Sequence, residues 1–291
     1  MMPQTAFAVA SSTPDAPVFD PFIVEFPSTS DPSLAMPNAI EIYYHLHLGG
    51  SEGLTPPVVL IHGAGGTHLY WPSEVRRLPG YHVYAPDLPG HGKSGGRGMQ
   101  SIGAYTQALI NWLDAVDLHS AVLIGHSMGS AIALALALEH PGRVLGLGLV
   151  GAGARLRVAP ELLEQASNQT TFLNAVSTVI SRSFSPHTPA RLSDLAARRM
   201  AETRSSVLYG DFLACNDFDV RDRLAEIHQP ALVLCGADDQ MTPVRHAQFL
   251  ASGIPHAVLK LIPDAGHMVM LEQPQAIAIA IGEFVGAIPY Y

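Results

Sequence analysis

A serine flanked by two glycines connects an apolar run to an alanine-rich segment near the middle of the chain. The run at 121–124 is typical of a buried strand, the segment from 131 onward is typical of a helix, and the motif G-H-S-M-G occupies residues 125–129 between them. So short a connection forces the serine into strained backbone angles, and only glycine fits two positions before and after it. Ser127 is therefore expected at the carboxyl end of a sheet, beside the N-terminus of a helix.

Short apolar runs alternate with helical segments over most of the chain. A segment at 40–48 has strand composition, and further apolar runs lie at 58–61, 81–85, 121–124, 144–150, 231–235 and 257–262. Helical segments lie near 71–78, 101–116, 127–140, 243–252 and 271–286. Continuous apolar strands separated by helices indicate an α/β fold, with a mostly parallel central sheet that helices cover on both faces.

Two segments depart from this alternation. Between residues 154 and 223 helical periodicity replaces the strand pattern, which predicts a helical cap inserted into a core of residues 38–153 and 224–291. Residues 1–37 carry seven prolines, which block helices and central strands. We expect these residues to form an extended arm whose apolar residues at 19–26 hold it to the body. The alternative is a disordered tail, which the aromatic content disfavours.

Composition and charge indicate which kinds of partner and which cellular compartment to expect. The chain carries 25 acidic and 16 basic residues without a basic stripe, so a nucleic-acid partner is not expected. Its apolar runs are too short to cross a bilayer, its first residues lack the positive charge of a signal peptide, and its two cysteines provide no disulfide framework. These features predict a cytoplasmic protein without a membrane partner. His45 and His47 have no third ligand nearby in the sequence, so no metal site is expected.

A serine hydroxyl acts as a nucleophile only with a base and an orienting carboxylate. His267 follows the predicted strand at 257–262, and Asp239 follows the strand at 231–235. Both loops should open at the same edge of the sheet as Ser127, which makes these three residues the candidate catalytic set. Of the adjacent aspartates we prefer Asp239, and we expect Asp238 to be a turn former whose side chain bonds nearby backbone.

The loop after the strand at 58–61 has the sequence H-G-A-G-G at 62–66. Glycines let backbone N–H groups turn toward an oxyanion, and we assign the donors to Ala64 and Met128. We expect His62 to brace this loop by hydrogen bonding rather than to act as the base. In the loop at 86–94, Asp87 and His91 are interpreted as structural.

Five loops, taken in order, resemble the signature loops of the α/β-hydrolases. They lie at 62–66, 86–94, 125–129, 236–239 and 266–267, and the resemblance covers about residues 38–291. It is closest to members with a cap between the sixth and seventh core strands. The resemblance implies the triad and the oxyanion donors given above, no cofactor, and a monomer or homodimer. A serine at the elbow sets the chain apart from the epoxide hydrolases and haloalkane dehalogenases, which carry aspartate there.

We therefore predict a serine esterase that cleaves carboxylic esters of small to medium acyl groups through an acyl-enzyme. The small-molecule ester would bind under the cap, with Met128, Met241, Met268 and Val269 as candidate lining residues, for which core packing is an equal alternative. Other activities compatible with this triad are carbon–carbon bond hydrolysis of dienone-like substrates and lactonase, thioesterase or perhydrolase activity. A non-catalytic ligand receptor is a more remote alternative.

Overall fold

The structure is a computed structural model that describes residues 23–27, 39–50 and 54–290. Its strands are β1 (Ile23–Pro27), β2 (Ala39–Leu48), β3 (Val58–Ile61), β4 (His82–Pro86), β5 (Ala121–His126), β6 (Val144–Val150), β7 (Ala231–Gly236) and β8 (Ala257–Ile262). Its α-helices are α1 (Ser73–Arg76), α2 (Ile102–Ala115), α3 (Met128–Glu139), α4 (Pro160–Ser167), α5 (Phe172–Ser183), α6 (Ala190–Ala201), α7 (Ser205–Asp217), α8 (Val244–Gly253), α9 (Val269–Glu272) and α10 (Pro274–Gly286).

The strands form one sheet in the order β1-β2-β4-β3-β5-β6-β7-β8. β2 pairs in antiparallel fashion with both of its neighbours, β1 and β4, whereas β3 to β8 pair in parallel with one another. Parallel pairing puts the carboxyl ends of these strands at one edge of the sheet, so the loops that follow β3, β5, β7 and β8 open on the same side. The predicted α/β fold with a mostly parallel sheet is confirmed.

The central strands are covered on both faces, as their continuous apolar sequences predict. β3, β5 and β7 are buried along their whole length, and α3 is buried over almost all of its surface. β8 differs from the prediction. It packs against α8 but leaves 65% of Val258 and 44% of Leu261 exposed, because it is the last strand of the sheet and helices cover less of its surface.

Four helices, α4 to α7, lie between β6 and β7, where the sequence predicts the cap. The chain between α5 and α6 is the interruption that the prolines at 186 and 189 indicate. The first of these helices, α4, begins at Pro160, which suits a helix start because proline has no N–H to leave unpaired. No helix within the described ranges is long and apolar enough to cross a membrane.

Part of the predicted arm is an edge strand of the sheet. β1 pairs with β2 from Ile23 opposite Tyr43 to Pro27 opposite Ala39. An edge position tolerates the proline at its end, because a missing N–H there breaks no pairing with a further strand. The rest of the predicted arm, residues 1–22 and 28–37, lies outside the described residues, as does the expectation that its aromatic side chains hold it to the body.

Candidate active site

Ser127 lies between the end of β5 and the start of α3, as the motif predicts. Its backbone angles are φ 52° and ψ −114°. Such angles cost a residue with a side chain about 1–3 kcal/mol. The Ser127 N–H donates to the Val150 carbonyl at 2.9 Å, which fastens the strained turn to β6. The elbow leaves Ser127 in the wall of a cavity at the carboxyl end of the sheet.

Both glycines of the motif are required by close backbone packing. A Cβ on Gly125 would overlap the Gly129 carbonyl, and a Cβ on Gly129 would overlap the Ile61 carbonyl at the end of β3. The elbow therefore packs directly on the loop that follows β3. This contact explains why the glycines that permit the turn also bring Ser127 close to the predicted oxyanion loop.

His267 and Asp239 meet from the loops after β8 and β7. The His267 Nδ1–H donates to Asp239 Oδ2 at 2.9 Å, and both side chains are buried. With a carboxylate accepting the Nδ1 proton, the lone pair of the neutral imidazole is on Nε2. His267 lines the same cavity as Ser127, and Asp239 contacts His267 from outside the cavity wall.

Thr242 is a polar neighbour of this pair that the sequence reasoning missed. Its hydroxyl donates to Asp239 Oδ2 at 2.9 Å and lies 3.3 Å from His267 Nδ1. The N–H groups of Met241 and Thr242 both donate to Asp239 Oδ1 at 2.8 Å. Burial alone would raise the pKa of Asp239, but the charge of His267 and these hydrogen bonds outweigh burial and lower it. A threonine three residues after an aspartate, just before a helix, was the available signal.

Asp238 contacts the segment between α5 and α6 rather than its own backbone. Its Oδ2 accepts the Ser185 hydroxyl at 2.6 Å, so a contact between the loop after β7 and the segment between α5 and α6 replaces the expected bond to nearby backbone. Glu272 makes a similar link. It accepts the Ser185 N–H and the Gly266 N–H, each at 2.8 Å. The loop that carries His267 is therefore held against the segment between α5 and α6.

His126, the residue before the serine, is buried beside His267. Its Nε2–H donates to the His267 carbonyl at 3.0 Å, and the two ring centroids are 4.8 Å apart. Burial, and to a lesser extent the charge of His267, lower the pKa of His126 to about 3. His126 is therefore neutral, and it fixes the backbone of the loop that carries His267.

The loop after β3 carries Ala64 into the wall of the cavity. The Gly65 N–H donates to Asp211 at 2.8 Å, and the Gly66 N–H donates to the Gly63 carbonyl at 3.1 Å. The N–H groups of Ala64 and Met128, in contrast, donate to no acceptor within the described part of the chain. Unpaired backbone donors on either side of a serine elbow are the kind of group that can stabilise an oxyanion.

His62 braces this loop, as predicted. Its Nδ1–H donates to the Gly63 carbonyl at 2.8 Å, and its Nε2 accepts the Leu88 N–H at 3.0 Å. Burial and the neighbouring His91 lower the pKa of His62 to about 4. The neutral ring therefore links the loop after β3 to the loop after β4.

A buried carboxylate from α7 joins the same two loops. Asp211 Oδ2 accepts the Gly65 N–H and the His91 Nε2–H, each at 2.8 Å, and its Oδ1 accepts the Tyr105 hydroxyl. Burial alone would lower the pKa of His91, but the charge of Asp211 and its hydrogen bond outweigh burial and raise it. His91 is structural, as interpreted from the sequence. Asp211 was missed because it lies 146 residues from Gly65.

A cavity of about 650 Å³ lies between the core and the four helices that follow β6. Met241 and Met268 line it, whereas Met128 and Val269 are fully buried in the core and lie outside its wall. Apolar side chains from the inserted helices complete it, namely Leu162, Val179, Met200 and Phe212. In the described part of the chain, no group of three or more His, Cys, Asp or Glu side chains is placed to hold a metal ion.

Comparison with known proteins identifies the family. The family described as "alpha/beta hydrolase fold" matches residues 56–274. Protein ABHD8 of Bos taurus is 32% identical over 257 residues, covering 80% of this chain and 57% of that protein. The chain thus spans little more than half the length of this relative. The pimeloyl-[acyl-carrier protein] methyl ester esterase of Aromatoleum aromaticum is 31% identical over 255 residues, covering 79% of this chain and 98% of that protein.

A solved structure shares the fold over nearly the whole chain. A thermophilic esterase from Thermogutta terrifontis, solved with malate bound, superposes with a TM-score of 0.81 at 25% identity, covering 91% of this chain and 98% of that one. The family match covers more than half of the 291 residues, and the sheet order and the serine elbow agree with it. The chain therefore belongs to the α/β-hydrolase family.

Proposed function

We propose that the chain is a serine esterase that hydrolyses carboxylic esters of small to medium acyl groups. The observation that carries the proposal is that the strained Ser127 and the Asp239-paired His267 lie in the wall of one cavity. A serine nucleophile requires an adjacent base, and the base requires a group that orients it. The site provides all three residue types in a cavity large enough for a small organic substrate.

In the proposed reaction, Ser127 Oγ attacks the ester carbonyl while His267 Nε2 accepts the hydroxyl proton. The tetrahedral intermediate collapses, the alcohol leaves with the proton from His267, and the acyl group stays on Ser127. Water then attacks the acyl-enzyme, His267 accepts a proton from the water, and this proton returns to Ser127 as the acid is released. Asp239 stays ionised and stabilises the imidazolium in both steps.

The oxyanion of each tetrahedral intermediate would be bound by the N–H groups of Ala64 and Met128. Their lack of other acceptors in the described chain supports this assignment. Donors that point at the oxyanion before the reaction starts contribute about 3 kcal/mol each to the transition state. The Asp211 and Gly63 contacts of the next two N–H groups hold the loop in the shape that presents Ala64.

We base the proposed cap and the proposed substrate class on the cavity and on the similar proteins. We assign residues 154–223 to a cap over a core of 38–153 and 224–291, since the helices in this range supply the apolar side of the cavity. Two similar proteins, a methyl ester esterase and a thermophilic esterase, support an ester as the substrate. We propose that the protein acts on a small-molecule ester without a cofactor, as a monomer or homodimer.

Replacement of the proposed nucleophile tests this function. We expect Ser127→Ala to lower kcat for p-nitrophenyl butyrate by roughly 10⁴ or more while the protein folds normally, because no other group can form the acyl-enzyme. The matched control is Ser181→Ala, which removes an exposed hydroxyl from α5. Steady-state kinetics and circular dichroism of the three proteins provide the measurement.

Covalent labelling gives a second reading of the same site. A phosphonate ester should add its mass to the native protein and to the Ser181→Ala control, which keeps Ser127. It should not add its mass to Ser127→Ala. A native protein that is indifferent to p-nitrophenyl esters, or a Ser127→Ala variant that keeps more than about a tenth of the activity, would overturn the esterase assignment.

A further inference from the structure

Several arginines contribute to the wall of the cavity. Five of them line it, namely Arg155, Arg157, Arg182, Arg221 and Arg245. All but the half-buried Arg155 are exposed, whereas His267, which lines the same cavity, is buried, so we place the arginines on the solvent side of the cavity. Within the described part of the chain, no aspartate or glutamate lines the same cavity. On a chain of net charge −9 with 16 basic residues, this is a strong local concentration of positive charge.

The arginines come from separate parts of the fold on both sides of the opening. Arg155 and Arg157 follow β6, Arg182 is near the end of α5, and Arg245 is near the start of α8 in the core. Arg221 follows α7. Because core and cap both contribute, the positive charge belongs to the mouth of the cavity rather than to one helix face.

One carboxylate neutralises part of this charge. Asp219 accepts Arg221 Nε and Nη2 at 2.8 and 2.7 Å, and Arg155 Nε lies 3.5 Å from it. No ion pair joins Arg157, Arg182 or Arg245 to a carboxylate among the described residues. We call these three the rim arginines. Burial and the charge of Arg245 lower the pKa of His246, which also lines the cavity.

We propose that the substrates of this site are monoesters of dicarboxylic acids, with the free carboxylate of the acyl chain bound by the rim arginines. This inference rests on the proposed esterase function, which places the acyl group in the cavity. Ser127 and His267 hold the ester at the inner end, apolar side chains such as Val179 and Phe212 pack along the acyl chain, and guanidinium groups bind the carboxylate at the mouth. The product is the dicarboxylate and the alcohol.

A matched pair of substrates tests the proposal on the native protein. Monomethyl adipate carries one ester and one carboxylate, and the methyl ester of adipic monoamide has the same length and one ester but no charge. We expect kcat/KM to be at least about tenfold higher for the charged ester at an ionic strength of about 0.01 M, and the ratio to fall at about 1 M because salt screens exposed charges. Equal kcat/KM values for the two esters would overturn the proposal.

Variants of the rim assign the preference to the arginines. In the triple variant Arg157→Gln, Arg182→Gln and Arg245→Gln, the ratio of the two kcat/KM values should fall to near one. The ratio does not depend on the concentration of folded enzyme, so partial misfolding cannot imitate this result. A ratio that the triple variant retains would overturn the proposal.

A charge-matched control separates the rim from net charge. The triple variant Arg97→Gln, Arg191→Gln and Arg198→Gln removes three exposed arginines that lie outside the cavity wall, and it should keep the native ratio. An equal loss of discrimination in this control would attribute the effect to overall charge and overturn the assignment to the rim.

Binding separates this proposal from the esterase assignment. Titration calorimetry of adipate into Ser127→Ala measures the rim without turnover. We expect the rim substitutions, added to Ser127→Ala, to weaken adipate binding at least about tenfold. Unchanged binding would overturn the anion site. Absence of Ser127-dependent turnover of either ester, with rim-dependent adipate binding intact, would instead overturn the esterase function while supporting the rim.

Discussion

Neighbouring aspartates in one loop have different partners. Asp239 accepts hydrogen bonds from the His267 Nδ1–H, from two backbone N–H groups and from the Thr242 hydroxyl. Each of its two oxygens accepts two of these bonds. Asp238 accepts the Ser185 hydroxyl instead. An ionised carboxylate that is buried needs this many donors to stay charged. The difference in partners makes the two aspartates a matched pair for testing the role of the orienting acid.

We expect Asp239→Asn to lower kcat for p-nitrophenyl butyrate by roughly 10⁴, because an amide in place of the carboxylate favours the wrong tautomer of His267. Asp238→Asn keeps an oxygen that accepts the Ser185 hydroxyl, and it should change kcat by less than about threefold. Steady-state kinetics of the two purified variants provide the comparison. Similar losses in both variants would contradict the assignment of Asp239.

At the scale of elements, α7 connects the helices inserted after β6 to the loops that follow β3 and β4. Asp211 on this helix is fully buried and accepts hydrogen bonds from Gly65, His91 and Tyr105. Its three donors come from the loop after β3, the loop after β4 and α2. One carboxylate therefore fixes these three elements relative to α7 and keeps Gly65, the neighbour of Ala64, in place.

Asp211→Asn tests this connection. The amide cannot accept from all three donors, and the substitution should lower the free energy of unfolding by about 3 kcal/mol, since it breaks a buried ionic network. Urea unfolding monitored by tryptophan fluorescence measures the change. The control is Asp217→Asn, an exposed aspartate at the end of the same helix, which should leave stability within about 0.5 kcal/mol of the native value. Equal stabilities of the Asp211→Asn variant and the control would contradict the proposed link.

On the scale of the whole molecule, buried neutral histidines make folding sensitive to acid. The pKa is about 4 for His62 and about 3 for His126, against an ordinary value of 6.5. As the pH falls below 6.5, the unfolded chain binds protons that the folded protein does not, and stability decreases until the folded groups also titrate. The raised pKa of His91 has a different effect. Protonation of His91 stabilises the folded protein by a constant amount below pH 6.5, and this stabilisation is lost as the pH rises above 6.5.

We expect the free energy of unfolding to fall between about pH 6.5 and about pH 4, by about 3 kcal/mol for each of His62 and His126. The lowered pKa of Asp239 adds a further loss of stability only below the ordinary carboxyl pKa of 3.8, outside this interval. Urea unfolding at several pH values in this interval measures the slope. His256→Gln removes an exposed histidine and should keep the same slope. A protein that is as stable at about pH 4.5 as at about pH 6.5 would contradict the prediction.

The strands, the helices and the elbow could be predicted from the sequence because each depends on neighbouring residues. Apolar runs define buried strands wherever helices cover both faces, and β8 departs from this pattern only because it ends the sheet. The steric demand for Gly125 and Gly129 is equally local. The candidates Ser127, Asp239 and His267 follow from the carboxyl ends of parallel strands, which meet at one edge of the sheet.

The sequence by itself determined the α/β fold, the place of the inserted helices and the candidate residues around the serine elbow, since spacing along the chain carries that information. Only the tertiary structure decided that Asp211 reaches Gly65, that Val269 is buried outside the cavity and that five arginines meet at its mouth. These contacts join side chains far apart in the chain. The packing of the helices on the sheet decides which residues meet, and no local sequence pattern specifies this packing.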